Sequence, residues 1–489
     1  MGKILLGIDI GTSSCKVVSF SPDGTVLGKA SEDYPVYYPQ QGWAEQNPNE
    51  WWEAVCRAVK AVVKTEDARE IAGVGIDGQS WSAIAVDENG NVLCNTPIWT
   101  DTRSIEICGE MKKLAGEDAL FETSGNPVQP MYTMPKVLWY KKHLPQVYSN
   151  TAKILQSNSF IAYRLTGEIS QDVSQGYGWN CYDMKRNEWN WDICERLGVK
   201  TALLPEISPC HKVIGSVSAK AAKQTGLKAG TPVVAGGLDA ACAALGAGVV
   251  KAGQTQEQGG QAGGMSICMD SCRADKRLIL GAHVVPGLWL LQGGTVGGGG
   301  ALKWFARQLG GIGENFDELC REAQKIPAGS EGLVFLPYMA GERSPIWDPN
   351  AKGVFFGIDF SKTTAHFTRA VLEGVAYSLR HNLETAQAAG ATAQTLHVMG
   401  GSANSLLWTQ IKADVTGRRL LVPSSDTATA LGAAILAGVG TGVYSGFEEA
   451  AAQTLRINRV HEPDIFLREV YNDGYRIYRK LYENLKSVT

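Results

Sequence analysis

Residues 3–30 read KILLGIDIGTSSCKVVSFSPDGTVLGKA, three apolar stretches separated by Gly11-Thr12-Ser13-Ser14 and by Pro22-Asp23-Gly24. The alternation predicts three consecutive strands, and Pro-Asp-Gly is a strong hairpin turn. Asp9 stands inside the first apolar run, directly before the glycine turn. An unpaired buried carboxylate is costly, so a cation, a donor or a shifted pKa must compensate it. Successive N–H groups at a glycine turn form a concavity for anions, and flanking hydroxyls add donors. Gly11, Thr12 and Ser13, with Lys16 nearby, suit phosphate oxygens; Mg²⁺ carried in on the phosphate would then compensate Asp9. Taken alone, the same residues are equally well read as a plain hairpin turn.

Beyond this hairpin, Asn47-Pro48 with Glu50 marks a helix start. Its inward face is Trp52, Val55, Val59 and Val62. IAGVGIDG (71–78) predicts a strand ending in a turn, and VLCNTPIWTDTR (92–103) a strand running into a loop. An aromatic-rich insert follows at 176–191, and TPVVAGGLDAACAALGAG (231–248) predicts strand, glycine turn and alanine-rich helix. TQEQGGQAGGMSICMD (255–270) then repeats the opening pattern of strand, glycine turn and strand. Helices at 301–310, 364–388, 406–417 and 427–438, and strands at 332–343 and 396–402, complete the chain. The pattern predicts an internally duplicated α/β unit with domains 1–248 and 249–489. No low-complexity linker separates them.

Length agrees, since 489 residues exceed one ordinary core. A hydrophobic fraction of 44%, a charged fraction of 19% and a net charge of -3 describe a globular chain. Neither nucleic acid nor a membrane is an expected partner. There is no transmembrane-length apolar run and no signal sequence. The 11 cysteines are unpatterned, which points to reduced thiols and a cytoplasmic location. No P-loop occurs. Gly73–Gly78 matches G-x-G-x-x-G, but within a strand rather than at a turn opening a helix, the wrong context for a dinucleotide. Asp239 after its glycine pair reads either as a helix cap or as a base that takes a proton from a hydroxyl.

Together these stretches resemble the FGGY carbohydrate kinases over essentially the whole chain. GIDIGTSS resembles the family's first phosphate hairpin, MYTMPKVLWYKKH (131–143) its first signature and GVFFGIDFSKTTAHFTRAVLEG (353–374) its second. VVAGGLDAACAALGAG resembles the stretch with the catalytic aspartate; FLPYMAGERSP and MGGSANSLLWTQIKADVTG are also similar. WAEQNPNEWW and IWTDTR are similar to the xylulokinase subgroup.

The resemblance implies two ribonuclease-H-like domains of the actin-like ATPase fold, closing over an interdomain cleft. ATP and Mg²⁺ are the implied cofactors, and a small-molecule sugar is the implied substrate. Asp239 would be the general base and Asp9 would orient Mg²⁺, with Asp239 beside the metal. Gly11, Thr12, Ser13, Lys16, Gly260 and Gln261 would lie at the phosphates. Gly299, Lys303, Gly400, Gly401 and Asn404 would lie near the nucleotide. Gln79, Ser80, Trp81, Trp99, Asp101 and Asp239 would line the sugar site. Family members often form homodimers, and no stretch here identifies an interface.

The sequence departs from the family in two places. Gly260-Gln261-Ala262-Gly263 stands where Gly-Thr-Ser-Gly is common, with Glu257 at a buried strand position. Gln79-Ser80-Trp81 and Ala240 replace the Gln-Met-His and Asn of xylulokinases, which points to an altered sugar pocket; a ketopentose such as xylulose is the lead from the resemblance, with other polyols, ketoses and sugar acids as alternatives. A nucleotide-regulated binding protein of the same fold and a non-catalytic sugar-binding paralogue are the alternatives to a kinase. Retention of both Asp9 and Asp239 favours the kinase.

Overall fold

The computed structural model describes residues 3–63, 68–311, 313–424 and 427–488. The opening strands form as the alternation predicts, at Ile4–Ile10, Ser14–Phe20 and Val26–Asp33, paired antiparallel. Ile71–Gly78 runs parallel to the first strand, with Asp77 opposite Asp9. Pro232–Val234 and Gly237–Leu238 pair with it in turn, and Val213–Ser216 closes the edge of the sheet. The helix Pro48–Val63 begins where Asn47 accepts the Asn49 amide at 3.0 Å. It buries Trp52, Val55, Val59 and Val62, and also Trp51, Ala54 and Ala58, against this sheet.

The second sheet repeats the pattern. Gln254–Gly259 and Gly263–Met269 form the hairpin, and Trp289–Thr295 adds to its outer side. Thr395–Met399 lies parallel to the hairpin's first strand, and Arg419–Pro423 parallel to that. An antiparallel hairpin with a third strand on one flank and parallel strands on the other therefore occurs twice. All strands of the first sheet precede residue 239, and all those of the second follow residue 253.

The two halves meet through two small-residue helices, Asp239–Gly246 and Ala428–Gly440. A Cβ on Gly246 would stand 1.9 Å from the Ala428 carbonyl, and one on Gly432 1.9 Å from that of Cys242. The second helix also lies across the first sheet: Cβ atoms on Gly7 and Gly75 would stand 2.0 and 1.8 Å from the carbonyls of Ala430 and Ala433. This close approach is what Gly75, within the G-x-G-x-x-G match, serves; no dinucleotide turn forms there.

Three expectations are corrected. The strand expected within 92–103 shrinks to Thr96–Pro97, because the rest of that segment is committed to polar side-chain contacts. The strand within 332–343 is only Val334–Leu336, ended by Pro337, which lacks the N–H to continue a ladder. Asp239 is not the helix cap but the first helical residue; Leu238 occupies the cap position. All 11 cysteines are free thiols, and among the described residues no helix is long and apolar enough to cross a membrane.

Candidate active site

The first hairpin turn is tied down by its carbonyls. Tyr34 Oη donates to the Gly11 carbonyl at 2.6 Å, Gln46 Nε2 to that of Thr12 at 2.8 Å, and the Tyr34 amide to that of Ser13 at 3.2 Å. Among the described residues the amides of Thr12 and Ser13 donate to nothing. A turn whose acceptors are satisfied from behind and whose donors are left over presents a cradle for anions. Lys16 Nζ lies 3.9 Å from Asp9 Oδ2, with most of its side chain in solvent.

Asp9 and Asp77 occupy opposed positions on neighbouring parallel strands, at the ends where both strands turn away. Side chains alternate along a strand, so both carboxyls share the face that carries Gly7 and Gly75. Asp77 is fully buried, and apart from its contact with Asp9 neither of its oxygens has a partner among the described residues. Burial, then the charges of Asp9 and Asp239, push its pKa well above the usual carboxylate range. Asp9 is raised by burial, held back by Lys16 and by its contact with Asp77. Asp239 completes the acidic face, half-open to the cleft, and burial followed by the Asp9 charge pushes it up to about 7. Its carboxylate accepts the Ala240 amide at 2.6 Å. The turn before it is pinned by Ser174 Oγ, which takes the Leu238 amide at 2.8 Å and donates to Asp172 at 2.5 Å.

The sugar-side candidates divide into two groups. Trp99 stands on the cleft and donates its indole N–H to Thr12 Oγ1 at 2.9 Å, joining this side to the phosphate turn. Ser80 is partly exposed beside it in sequence order with Gln79, whose amide is buried against Gln46 at 2.8 Å. Asp101, expected to line the sugar site, is fully buried and ion-paired with Arg103. Its oxygens accept the Ala44 amide at 2.7 Å, the Arg103 amide at 2.9 Å and the Arg103 guanidinium. Arg103 also pairs with Glu45 at 2.8 Å and covers the Trp43 ring. The motifs WAEQ and IWTDTR thus brace each other through Asp101, Arg103 and Glu45.

Trp81 is 7% exposed and packs edge-on against Tyr132 and Tyr177, with ring centroids 4.7 and 5.7 Å away. Its backbone is left-handed at φ 58°, a conformation rare outside glycine and costly for a bulky residue. Two side chains hold it there: Gln175 accepts its amide at 3.1 Å, and the buried Lys136 donates to its carbonyl at 2.8 Å and to that of Ile98 at 2.9 Å. The indole N–H of Trp81 has no acceptor among the described residues.

On the nucleotide side, Gln261 is exposed at the tip of the second hairpin turn. That turn sits on the start of the helix Gly299–Gln308: the amides of Gly299 and Gly300 donate to the carbonyls of Gly260 and Gln261 at 2.8 and 2.9 Å. A Cβ on Gly298 would stand 2.3 Å from the Gly263 nitrogen, which explains the glycine run there. Lys303 lies one turn further along, partly exposed. Glu257, out of place in a buried strand, is matched by Lys412 at 2.7 Å; the same ammonium donates to Ser402 Oγ at 2.8 Å. This anchors the turn of Gly400, Gly401 and Asn404. Gly400 takes φ 82° against the Gly259 backbone, while Gly401 and Asn404 face solvent.

Sequence reasoning missed Asp77, Lys136 and Arg343. Asp77 repeats the setting of Asp9, an aspartate ending an apolar strand before glycine, and that repetition was the available signal. Arg343 is exposed, without a salt bridge among the described residues, and its charge reaches Tyr132 and Tyr177 from the other half of the chain. For a divalent cation the donor set fits. Oxygen ligands suit Mg²⁺, which is usually held by one or two carboxylates plus substrate phosphates. Among the described residues no three His, Cys, Asp or Glu side chains group as a self-sufficient metal site.

The family model described as the FGGY family of carbohydrate kinases, N-terminal domain, matches residues 4–246, and that for the C-terminal domain matches residues 273–441. The chain is 31% identical to a protein named xylulose kinase from Bacillus subtilis, covering 99% of this chain and 98% of that one. It is 30% identical to a gluconokinase of the same organism, covering 92% and 90%. The crystal structure of xylulose kinase from Rhodospirillum rubrum superposes with a TM-score of 0.93 at 30% identity, over 99% of both chains.

Proposed function

Because the chain belongs to the FGGY family of carbohydrate kinases, and is a sugar kinase, we propose that it phosphorylates a ketopentose such as xylulose, with ATP as donor and Asp239 as general base. The observation that carries the reading is Asp239 itself, a carboxylate raised to about 7, open to the cleft and electrostatically coupled to Asp9 beside the phosphate turn. A base with a pKa near the working pH is the most effective at neutral pH. The relatives named xylulose kinase support the acceptor.

In this mechanism Asp239 accepts the proton of a sugar hydroxyl as its oxygen bonds to the γ-phosphorus and the bond to the β-phosphate oxygen breaks, releasing ADP. The transition state is loose, so positioning and charge stabilisation contribute most of the acceleration. The free amides of Thr12 and Ser13, with Lys16 and Gln261, would hold phosphate oxygens, and Gly299, Lys303, Gly400, Gly401 and Asn404 would border the nucleotide. Trp99, Ser80, Gln79 and the Trp81 indole N–H would orient the sugar. Asp9 would hold Mg²⁺, which screens phosphate charge when bound. Splitting the site between two halves would allow closure to exclude water. We propose 1–248 and 249–489 as the two domains.

A second acceptor class, a sugar acid, would find its cation in Arg343, exposed and without a salt bridge among the described residues. The test is ADP release with Mg-ATP across ketopentoses, aldoses, polyols, glycerol and sugar acids. Turnover with xylulose supports the first reading, and turnover confined to aldonates supports the second. Sugar-independent ADP release alone would overturn both.

A further inference from the structure

We infer that Asp77 is a further carboxylate of the divalent-cation site, opposite Asp9 on the neighbouring strand and sharing with it the charge that holds the metal. The inference rests on the proposed kinase reading for the identity of the cation, which arrives on ATP. Two observations carry it. Asp77 is fully buried, and apart from its contact with Asp9 neither carboxylate oxygen has a donor among the described residues, so the protein supplies nothing else to balance the two carboxyls. Strand register then fixes where those oxygens lie: Asp77 pairs with Asp9 on one side and with Gly237, two residues before Asp239, on the other.

A structural role predicts a different environment. Asp172, the other fully buried aspartate nearby, accepts from Asn158, Ser174 and the Gln175 amide, as a carboxylate retained for folding should. Asp77 has none of these. One divalent cation would offset the charge of both carboxylates, leaving its remaining positions to phosphate oxygens and water, the usual arrangement for Mg²⁺.

The experiment titrates the full-length protein with Mn²⁺ in the presence of ADP and without any sugar, following free Mn²⁺ by electron paramagnetic resonance. Asp77→Asn, isosteric with a neutral carboxyl, is expected to weaken Mn²⁺ binding by about 10–100-fold, with Asp9→Asn at least as damaging. Wild-type Mn²⁺ affinity in Asp77→Asn would overturn the inference and leave Asp77 a structural residue. Asp77→Ser provides the same comparison if the asparagine variant does not fold. Unchanged affinity in Asp9→Asn would remove the proposed metal role of Asp9 together with this inference. Failure of every sugar as acceptor, with Mn²⁺ binding still lost in Asp77→Asn, would remove the proposed acceptor and leave the inference standing.

Discussion

Lys412 donates to Glu257 at 2.7 Å, and neither side chain exceeds 4% exposure. The pair links the second hairpin to the turn of Gly400 and Gly401 through Ser402. Breaking a buried pair by removing one partner strands the other charge, at a cost of about 3–5 kcal/mol. Lys412→Met is therefore expected to lower stability to urea by that amount. Adding Glu257→Leu to Lys412→Met should recover most of the loss, since an apolar replacement of both partners strands nothing. A double variant as unstable as the single one would contradict this account.

Trp99 and Thr12 are joined by one hydrogen bond across two segments 87 residues apart. Trp99→Phe keeps an aromatic face and loses the donor; Thr12→Val loses the acceptor. A hydrogen bond of this type contributes about 1 kcal/mol, so each variant is expected to raise the KM for ATP several-fold with little change in Tm. Steady-state kinetics of both single variants and the double variant, combined in a cycle, would read the coupling directly. Fully additive effects would show that the contact does not position the turn.

Lys136 supplies the only described donor to the Trp81 carbonyl. Lys136→Met leaves the Trp81 carbonyl without a donor beside a strained backbone, at about 1–3 kcal/mol, while the Ile98 carbonyl keeps the Asp101 amide at 3.1 Å. The expected outcome is a lower Tm together with a raised KM for the sugar and an unchanged KM for ATP. Equal effects on both KM values would place the damage in the fold as a whole.

The raised pKa of Asp239 gives pH signatures of opposite direction for activity and stability. As the base must be ionised, kcat/KM for the sugar is expected to fall as pH drops below about 7. Between the ordinary aspartate value of 3.8 and about 7, the folded state keeps a proton that the unfolded state has lost. Stability from this group is thus complete below the lower value and declines as pH rises to the upper one. Asp239→Asn should match wild-type Tm near pH 4 and exceed it near pH 8, values that bracket the two pKa values. Thermal melts across that range check the sign.

Much of the fold was legible because it is carried by local signals. The helix from Asn47 and Pro48, the C-terminal Gly417 of Leu406–Thr416 and the two glycine-turned hairpins all follow from capping and alternation. The long helix Thr364–Ala388 matches the second signature and its continuation. What the sequence did not disclose depends on long-range pairing. Asp101 looks like a surface residue until Ala44 and Arg103 close on it, and Glu257 looks misplaced until Lys412, 155 residues away, arrives. Asp77 was hidden by the glycines around it, which close packing explains without any ligand: Gly75 lies against Ala433 and Gly78 against Ser157.

The most direct test of the central claim compares wild type and Asp239→Asn in a single-turnover assay with xylulose and saturating Mg-ATP, alongside ADP binding. The account predicts a rate lower by about 10²–10⁴-fold with ADP affinity retained, the loss expected on removing a general base. A variant that phosphorylates xylulose within a few-fold of the wild-type rate would contradict Asp239 as the base.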